Sequence, residues 1–446
     1  MLISSRRAKV LLVGVIILAL GVVSTFSFTF NADAEHPYSI RYHTLEPSDG
    51  TLLQALVYTP VDTSNDCPGV VVGHGFSLNK QYMQPLSIEL VKRGFVVVNI
   101  DFRGHGSSEG YLDAGNASSA LIMDMLAGVE YLEDLGFVDR IGLVGHSMGG
   151  GTAMLTALQN PSKINATVSI GGLSTSSEII GVSNLLAVFG YYEQIVTRDA
   201  GLSFLRQYTG LENVEIDTLY GDFIHGNATK VSISPYSEHY LEVIDSAIIY
   251  ETVQWFEYAF NGAPAMDVHL TAPFLIISLF TSLTGLLLVL FAFILYLGSY
   301  IFKGIQEHPR LLAESEKFPL RPIFGYLLAM LIALILLSPL SVLFADVAPI
   351  TMFNFVLGGQ VVGFTIGVLV ASFLLIYKGG KLQLQKMVAG TKELSSTKPF
   401  LSLIYGVVTG IVSIGALMAI LDWSFVTSSR YKYRCSFVVL FLKPIS

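Results

Sequence analysis

Cysteine is nearly absent from this chain. Only Cys67 and Cys435 occur among 446 residues, and they lie in regions of very different composition. A disulfide framework is therefore excluded for the region around Cys67, which must be stabilised by its apolar core. No Cys/His spacing typical of a zinc site is present either. We expect neither a metal nor any other cofactor.

Charge is scarce as well. Only 13% of the residues are charged and 52% are hydrophobic, which excludes an ordinary soluble protein. The apolar residues are concentrated in five runs, each close to or above the ~20 residues needed to cross a bilayer. These runs cover residues 10–28, 274–302, 323–344, 353–377 and 400–421. The last four contain no charged residue, which argues against proton or ion transport through them.

The runs divide the chain into four predicted parts. These are an N-terminal membrane anchor at 1–30, a globular domain at 31–272, a four-helix transmembrane region at 273–422 and a C-terminal tail at 423–446. A cleaved signal peptide is the alternative for the first run, because basic residues precede it. Its ~19 apolar residues exceed a usual signal-peptide core, so we favour an uncleaved anchor.

The charged residues are distributed unevenly between these parts. The globular domain contains 28 acidic and 10 basic residues, whereas basic residues predominate at the N-terminus and in the loops 303–321 and 378–398. The positive-inside rule places these basic segments in the cytoplasm. A multi-pass protein of the cell membrane follows, with its globular domain outside the cytoplasm and membrane lipids as partners. The basic tail does not fit this topology. Nucleic acid is not an expected partner, because an acidic domain repels phosphates.

Strand-like and helix-like segments alternate along the globular domain, which predicts an α/β fold with a mostly parallel sheet. After the apolar run 141–144 comes Gly145-His146-Ser147-Met148-Gly149, followed by a predicted helix at 148–158. The pattern G-x-S-x-G between a strand and a helix is typical of a nucleophile elbow. Its serine needs a strained backbone and an exposed hydroxyl, and the glycines let the strand and the helix approach each other.

Two further motifs follow predicted strands: His74-Gly75-Phe76, and the segment 101–110 that begins with Asp101-Phe102-Arg103-Gly104-His105-Gly106. Together with the elbow, they resemble an α/β-hydrolase domain of the monoglyceride-lipase and serine-aminopeptidase-like group. The resemblance covers about residues 40–260 and not the membrane region. It implies a catalytic serine, then an acid, then a histidine, in that order along the chain.

The resemblance makes Ser147 the nucleophile and His239, directly after the last predicted strand, the base. The acid position falls in Gly190-Tyr191-Tyr192-Glu193-Gln194-Ile195-Val196, where Glu193 replaces the commoner aspartate of the pattern G-x-x-D-x-x-V. Asp199 and Asp222 are the competing acids. The backbone N–H groups of Phe76 and Met148 are expected to form the oxyanion hole.

The other histidines of the domain receive different interpretations. His225 is the rival base, but it precedes the last strand. His146 adjoins the nucleophile, yet we expect neighbours on an elbow to point apart. His74 and His105 are expected to bond to nearby backbone, while Asp101, Arg103 and Ser108 are expected to hold the turn after the fourth strand. The chain at 210–229 is long enough to form a rim around the site.

These residues predict a membrane-anchored serine hydrolase that cleaves esters through an acyl-enzyme. The membrane tether favours lipid esters over other small-molecule esters. A serine aminopeptidase-like peptidase is the first alternative, and it requires an acidic residue that grips the substrate amine. A catalytically inactive binding or signalling protein with a hydrolase-like domain is the second alternative. The sequence makes no prediction of the oligomeric state.

Overall fold

A computed structural model describes residues 6–30, 37–62, 66–112, 117–173, 179–263 and 270–301, with 404, 408–413 and 416. The predicted spans at 323–344 and 353–377, most of the span at 400–421, the basic loops and the tail lie outside the described residues. The predictions for those parts, and the four domain boundaries, stay predictions.

An eight-stranded sheet forms the centre of the globular domain. Its strands are β1 (Tyr38–Leu45), β2 (Leu53–Pro60), β3 (Cys67–Gly73), β4 (Val96–Ile100), β5 (Val138–His146), β6 (Ala166–Ile170), β7 (Leu185–Gly190) and β8 (Thr229–Ser234). Their order across the sheet is β1-β2-β4-β3-β5-β6-β7-β8. The pairs β1–β2 and β2–β4 are antiparallel, and every other pair is parallel. The predicted α/β fold with a mostly parallel sheet is confirmed.

Helices cover both faces of this sheet. They are α2 (Gln84–Val91), α3 (Ala117–Asp134), α4 (Met148–Gln159), α5 (Arg198–Thr209) and α6 (Ser246–Asn261). Helices α3, α4 and α5 pack into one apolar cluster, whereas α2 and α6 pack into the other. The central strands β3, β4, β6 and β7 are buried along their whole length. A strand covered on both faces is mostly apolar, which is why these strands appear in the sequence as largely apolar runs. The buried polar side chain Asn99 of β4 is hydrogen-bonded to Lys80 O and Ser87 Oγ.

The carboxyl edge of the sheet positions the candidate site, because the loops after β3, β5, β7 and β8 all emerge there. Helix α5 begins at Arg198, because Thr197 caps it by accepting a hydrogen bond from Ala200 N. The segment 210–229 covers the outer edge of β8, where Asp217 N bonds to Val231 O and Tyr220 pairs with Thr229. These contacts cover the first half of the edge strand β8, which limits its pairing with another chain.

Two described helices are long and apolar enough to cross a membrane: α1 (Arg6–Phe30) and α7 (Ala272–Ile301). The chain divides into two compact units, and the smaller one comprises Met1–Val23, Gly104–Glu109 and Ile277–Leu421. Within that unit α1 and α7 approach closely. A Cβ atom on Gly21 would lie 2.4 Å from the backbone nitrogen of Ser282, and one on Gly285 would lie 2.2 Å from that of Leu18. Glycine at these positions permits backbone contact between the two helices.

In the larger unit, which contains the sheet, a buried carboxylate holds the start of α7. Glu89 Oε1 accepts hydrogen bonds from the backbone nitrogens of Thr271 at 2.6 Å and Ala272 at 2.8 Å. Its Oε2 atom pairs with Arg93 Nη1 at 2.9 Å. The carboxylate therefore satisfies N–H groups of the first turn of α7 and complements the positive end of its dipole.

Candidate active site

Ser147 occupies a strained turn between β5 and α4. Its backbone has φ 52° and ψ −112°, a conformation that residues other than glycine rarely adopt. Two hydrogen bonds fix this turn: Ser147 N donates to Ile170 O at 2.7 Å, and Gly151 N donates to Ser147 O at 3.0 Å. The turn directs the serine hydroxyl away from the sheet and toward the loop after β8.

The glycines that flank the serine are required by close packing. A Cβ atom on Gly145 would lie 2.1 Å from the carbonyl carbon of Gly149. One on Gly149 would lie 2.5 Å from the carbonyl oxygen of Gly73, at the end of β3. Any side chain at either position would force the strand and the helix apart, which accounts for the spacing G-x-S-x-G in this chain.

The structure brings Ser147, His239 and Glu193 together in a hydrogen-bonded chain. His239 Nε2 lies 2.8 Å from Ser147 Oγ, and His239 Nδ1 lies 2.7 Å from Glu193 Oε2. Because a carboxylate can only accept hydrogen bonds, His239 Nδ1 carries the ring proton. His239 Nε2 is then free of a proton and can accept the one from the serine hydroxyl. Both side chains behind the serine are buried, with 6% of His239 and 1% of Glu193 exposed.

Hydrogen bonds keep the Glu193 carboxyl ionised. Burial by itself would raise its pKa, but the bonds from His239 and from the backbone of Ile195 outweigh burial and lower the pKa to about 2. Glu193 Oε1 accepts from Ile195 N at 2.5 Å and from Val196 N at 3.2 Å, so the carboxylate is bound by its own loop. It can therefore orient His239 and stabilise an imidazolium.

The rival residues lie elsewhere. Asp222 pairs with the rival base His225 through an Oδ2–Nδ1 distance of 2.7 Å, and both side chains are exposed. Asp199 is exposed in the first turn of α5. Neither of these carboxyls bonds to His239.

The expectation for His146 was wrong. Its ring does not point away from the site but lies 4.8 Å from the ring of His239, centroid to centroid. His146 is the last residue of β5. Its side chain lies against the loop after β8, which contains His239. Its Nε2 atom donates to the backbone oxygen of His239 at 2.8 Å, and burial lowers the pKa of the imidazole to about 4. His146 is thus a neutral support for the His239 loop.

Sequence reasoning missed Glu242, a buried acid on the short 3-10 turn Glu242–Ile244. Its Oε1 atom accepts a hydrogen bond from Gly190 N at 2.7 Å, while Oε2 lies 3.4 Å from His146 Nε2 and 3.8 Å from His239 Nδ1. Burial raises its pKa to about 9, with a further contribution from Glu193. The only signal in the sequence is the spacing His239-x-x-Glu242, which puts the two residues one turn apart.

His146, His239 and Glu242 offer ligand atoms within 4.8 Å of one another, an arrangement that can bind a metal. Both ring nitrogens of His239 are already engaged, one with Ser147 and the other with Glu193. A metal at this cluster would have to displace one of those two bonds. The donor set therefore fits the hydrogen-bonded chain better than it fits a metal.

The two predicted oxyanion residues follow neighbouring strands. Met148 is the first residue of α4, so its N–H belongs to the helix turn that has no intrahelical acceptor. Phe76 lies on the loop after β3. A Cβ atom on Gly75 would lie 2.7 Å from the His146 ring, and one on Gly149 would lie 2.7 Å from His74 O. The loop and the start of α4 are thus packed against each other beside Ser147.

Buried polar contacts hold this loop. His74 Nδ1 bonds to Gly75 O at 2.8 Å, and Phe102 N donates to His74 Nε2 at 3.0 Å. Asp101 binds Lys80 just after the loop, through both the backbone nitrogen and the buried ammonium group. Arg103 pairs with Asp124 of α3 at 2.6 Å and with Asp49 at 2.6 Å. His105 and Ser108 are buried. The motif after β4 therefore fixes the neighbouring loop after β3 and helix α3 as well as its own turn.

Comparisons with known proteins cover the domain that contains this site. The family described as "Serine aminopeptidase, S33" matches residues 66–277. The sn-1-specific diacylglycerol lipase ABHD11 of Mus musculus is 40% identical over 114 residues, which are 25% of this chain and 35% of that protein. The putative carbamate hydrolase RutD of Variovorax paradoxus is 32% identical over 109 residues, which are 24% of this chain and 40% of that protein. The chain thus spans well under half the length of these relatives.

Two solved structures are similar to about half of the chain. Est1E of Butyrivibrio proteoclasticus with ferulic acid bound has 19% sequence identity and a TM-score of 0.38, covering 48% of this chain and 99% of its own. The Pyrococcus furiosus esterase Pf2001 has 18% identity and a TM-score of 0.40, covering 50% of this chain and 94% of its own.

Proposed function

We propose that this chain, a member of the α/β-hydrolase superfamily, is a membrane-anchored serine hydrolase that cleaves carboxylic esters through an acyl-enzyme on Ser147. One observation carries the proposal: the hydrogen-bonded chain from Ser147 Oγ through His239 to Glu193, with distances of 2.8 Å and 2.7 Å. A serine hydroxyl is a weak nucleophile at neutral pH, and this arrangement supplies both the base and the group that orients it.

In the first half of the reaction, His239 Nε2 takes the hydroxyl proton while Ser147 Oγ bonds to the ester carbonyl carbon. The carbonyl oxygen becomes an oxyanion, held by the N–H groups of Met148 and Phe76, and each such donor contributes about 3 kcal/mol. The tetrahedral intermediate collapses as the leaving alkoxide takes the proton from His239. An alcohol departs and the acyl group stays on Ser147.

In the second half, His239 takes a proton from water, and the resulting hydroxide attacks the acyl carbon. Collapse of the second intermediate returns the proton from His239 to Ser147 Oγ and releases the carboxylic acid. Glu193 stays ionised throughout, consistent with the low pKa of its carboxyl, and stabilises the imidazolium formed in each half.

Lipid esters are the proposed substrate class. The apolar helices α1 and α7 are long enough to hold the domain at a membrane surface. The mouse relative is named an sn-1-specific diacylglycerol lipase, which supports a lipid ester as substrate. The proposed topology has a cytoplasmic N-terminus and the hydrolase domain on the outer side of the cell membrane.

The test uses the full-length chain in detergent and a short p-nitrophenyl ester. We expect Ser147→Ala to lower kcat at least a thousandfold, while Ser203→Ala, an exposed serine on α5, serves as the matched control and keeps the parental rate. A fluorophosphonate probe should label the parent and the control but not Ser147→Ala. Parental hydrolysis by Ser147→Ala would refute the proposal, and absence of both labelling and hydrolysis in the parent would favour an inactive binding protein.

A peptidase is the second candidate, favoured by the family description over residues 66–277. The same protein assayed on an aminoacyl p-nitroanilide and on the matching ester separates the two activities. A higher kcat/KM for the anilide would assign the site to peptide bonds. Labelling of intact cells by an impermeant fluorophosphonate tests the topology, since a cytoplasmic domain would react only after lysis.

A further inference from the structure

The carboxyl of Glu242 lies directly behind the triad histidine, and none of the reaction steps above uses it. The side chain is fully buried and follows His239 by three residues. Its two oxygens have different surroundings. Oε1 accepts the Gly190 N–H, whereas Oε2 faces His146 and His239 at 3.4 Å and 3.8 Å, and the carboxyl is close enough to that of Glu193 for the two to interact.

Among the described residues, no permanent cation pairs with this carboxyl. The proton on His239 Nδ1 is donated to Glu193, and His146 must keep its proton on Nε2 because the His239 carbonyl can only accept. His146 is neutral, since burial lowers the pKa of its ring. Helices α2 and α6, which pack against the same turn, contain no basic residue. The titratable groups around Glu242 are Tyr82, His146, Glu193, Glu238 and His239.

Two buried carboxyls beside one imidazole nitrogen cannot both be ionised at low cost, so one of them keeps its proton. The distribution of donors decides which one. Glu193 receives hydrogen bonds from His239, Ile195 and Val196, which favour its anion. Within the described part of the chain, Glu242 receives a single hydrogen bond, from Gly190, so Glu242 is the group that stays protonated.

We propose that Glu242 is a positioning residue of the Ser147 site: a neutral carboxylic acid that holds Glu193 and His239 in place and leaves one negative charge behind the imidazole. Its Oε1 fixes Gly190, three residues before Glu193. Its Oε2 fills the space behind the His239 ring, where Gly171 leaves room because a Cβ there would lie 1.9 Å from this oxygen. With Glu242 uncharged, the Nδ1–H proton has a single anionic acceptor. The effect of Glu242 on catalysis rests on the proposed function, whereas its role in holding Glu193 and His239 in place does not.

The first experiment needs no activity. Full-length protein labelled with ¹⁵N-histidine is compared as parent, Glu242→Gln and Glu242→Leu in detergent by NMR. The Nδ1–H resonance of His239, assigned by its loss in His239→Gln, should persist in the parent and in Glu242→Gln, because glutamine keeps the acceptor for Gly190 and a donor toward Glu193. It should broaden or vanish in Glu242→Leu. Persistence in Glu242→Leu would overturn the positioning role, and loss in Glu242→Gln would show that an ionised carboxylate is required.

The second experiment is kinetic. Removing a group that orients a metal-binding histidine typically lowers activity about 10- to 100-fold. Glu242 orients His239 in a comparable way, so we expect a loss of this size in kcat for Glu242→Leu, with KM nearly unchanged. Glutamine should recover most of that loss. The parent should show an alkaline decline in kcat/KM as Glu242 ionises and competes with Glu193 for the Nδ1–H proton, and the decline should be absent in Glu242→Gln.

Glu238→Gln is the matched control, because it removes a carboxyl four residues earlier on the same loop, and it should keep the alkaline decline. A Glu242→Gln variant as impaired as Glu242→Leu, or one that keeps the decline, would overturn the proposal. If no Ser147-dependent hydrolysis is found in the parent, the proposed function fails on its own. The NMR comparison then still decides whether Glu242 positions His239.

Discussion

The Glu242 carboxyl keeps its proton in the folded chain and releases it in the unfolded chain. Replacing Glu242 by glutamine removes this titrating group. Burial, chiefly, moves the pKa of this carboxyl from an ordinary 4.5 to about 9. Between these two values the unfolded state binds fewer protons than the folded state. The free energy of unfolding of the parent therefore falls as the pH rises through this window, and the effect is constant below and above it. Glutamine keeps the acceptor for Gly190 but does not titrate.

The slope of this effect follows from the size of one pKa unit. Each unit of pH between about 4.5 and 9 costs the parent about 1.4 kcal/mol relative to Glu242→Gln. The sum over the whole window, about 6 kcal/mol, is a ceiling, because a buried site relaxes when it becomes charged. For a domain of this size 1 kcal/mol shifts Tm by about 2–4 °C. The Tm difference between variant and parent should therefore grow by about 3–5 °C per pH unit.

Differential scanning fluorimetry of the full-length chain in detergent, at pH 5, 6, 7, 8 and 9, measures this difference. Glu242→Gln should become progressively more stable than the parent as the pH rises. Glu238→Gln controls for the removal of one carboxyl from the same loop and should show only a small difference at every pH. A Tm difference for Glu242→Gln that is independent of pH, or that shrinks with rising pH, would show that Glu242 is ionised in the folded protein.

Three further variants and one control test the site and its anchoring. Glu193→Gln should lower kcat for a short ester about 10³- to 10⁴-fold with little change in KM, since an amide neither fixes the histidine tautomer nor stabilises the imidazolium. Gly171→Ala should lower both Tm and kcat, because φ is +57° there and the new Cβ would collide with Glu242. Glu89→Gln should destabilise the domain by about 1–3 kcal/mol through its charge-assisted bonds to α7, whereas Glu251→Gln, which breaks a partly exposed ion pair, should cost less than about 1 kcal/mol.

The parts of the fold that the sequence predicts well are those whose physics is local. β3 and β4 are buried on both faces, so their apolar runs stand out and end at His74 and Asp101. Gly145 is needed because its backbone approaches that of Gly149 only four residues later, so the spacing G-x-S-x-G itself carries this information. Boundaries were less accurate. β5 begins at Val138 rather than at 141, because its first residues pair with the irregular start of β3 at Cys67.

Contacts between distant segments explain what the sequence did not predict. Glu89 bonds to Thr271 and Ala272 across 182 and 183 residues of chain, and no pattern near Glu89 indicates this. The misjudged direction of His146 has the same origin. Its side chain follows the alternation of β5, but what it meets is the His239 loop, 93 residues later. The sequence did not indicate Glu242 for the same reason. Its partners Gly190 and Glu193 lie at the end of β7 and in the loop after it, about 50 residues earlier in the chain.

The glutamate at position 193 departs from the aspartate common in the resembling group, and the geometry gives a physical reason why this departure is compatible with catalysis. The longer side chain turns back, so that Oε1 reaches the N–H groups of Ile195 and Val196 while Oε2 reaches His239. One carboxylate thus binds its own loop and the imidazole at once. The additional methylene adds a rotatable bond to the side chain, which must be restrained for the carboxylate to keep its place. The bond from Gly190 N to Glu242 Oε1 helps by fixing the backbone three residues before Glu193. The buried carboxyl of Glu242 therefore helps to fix the backbone from which the longer side chain of Glu193 extends.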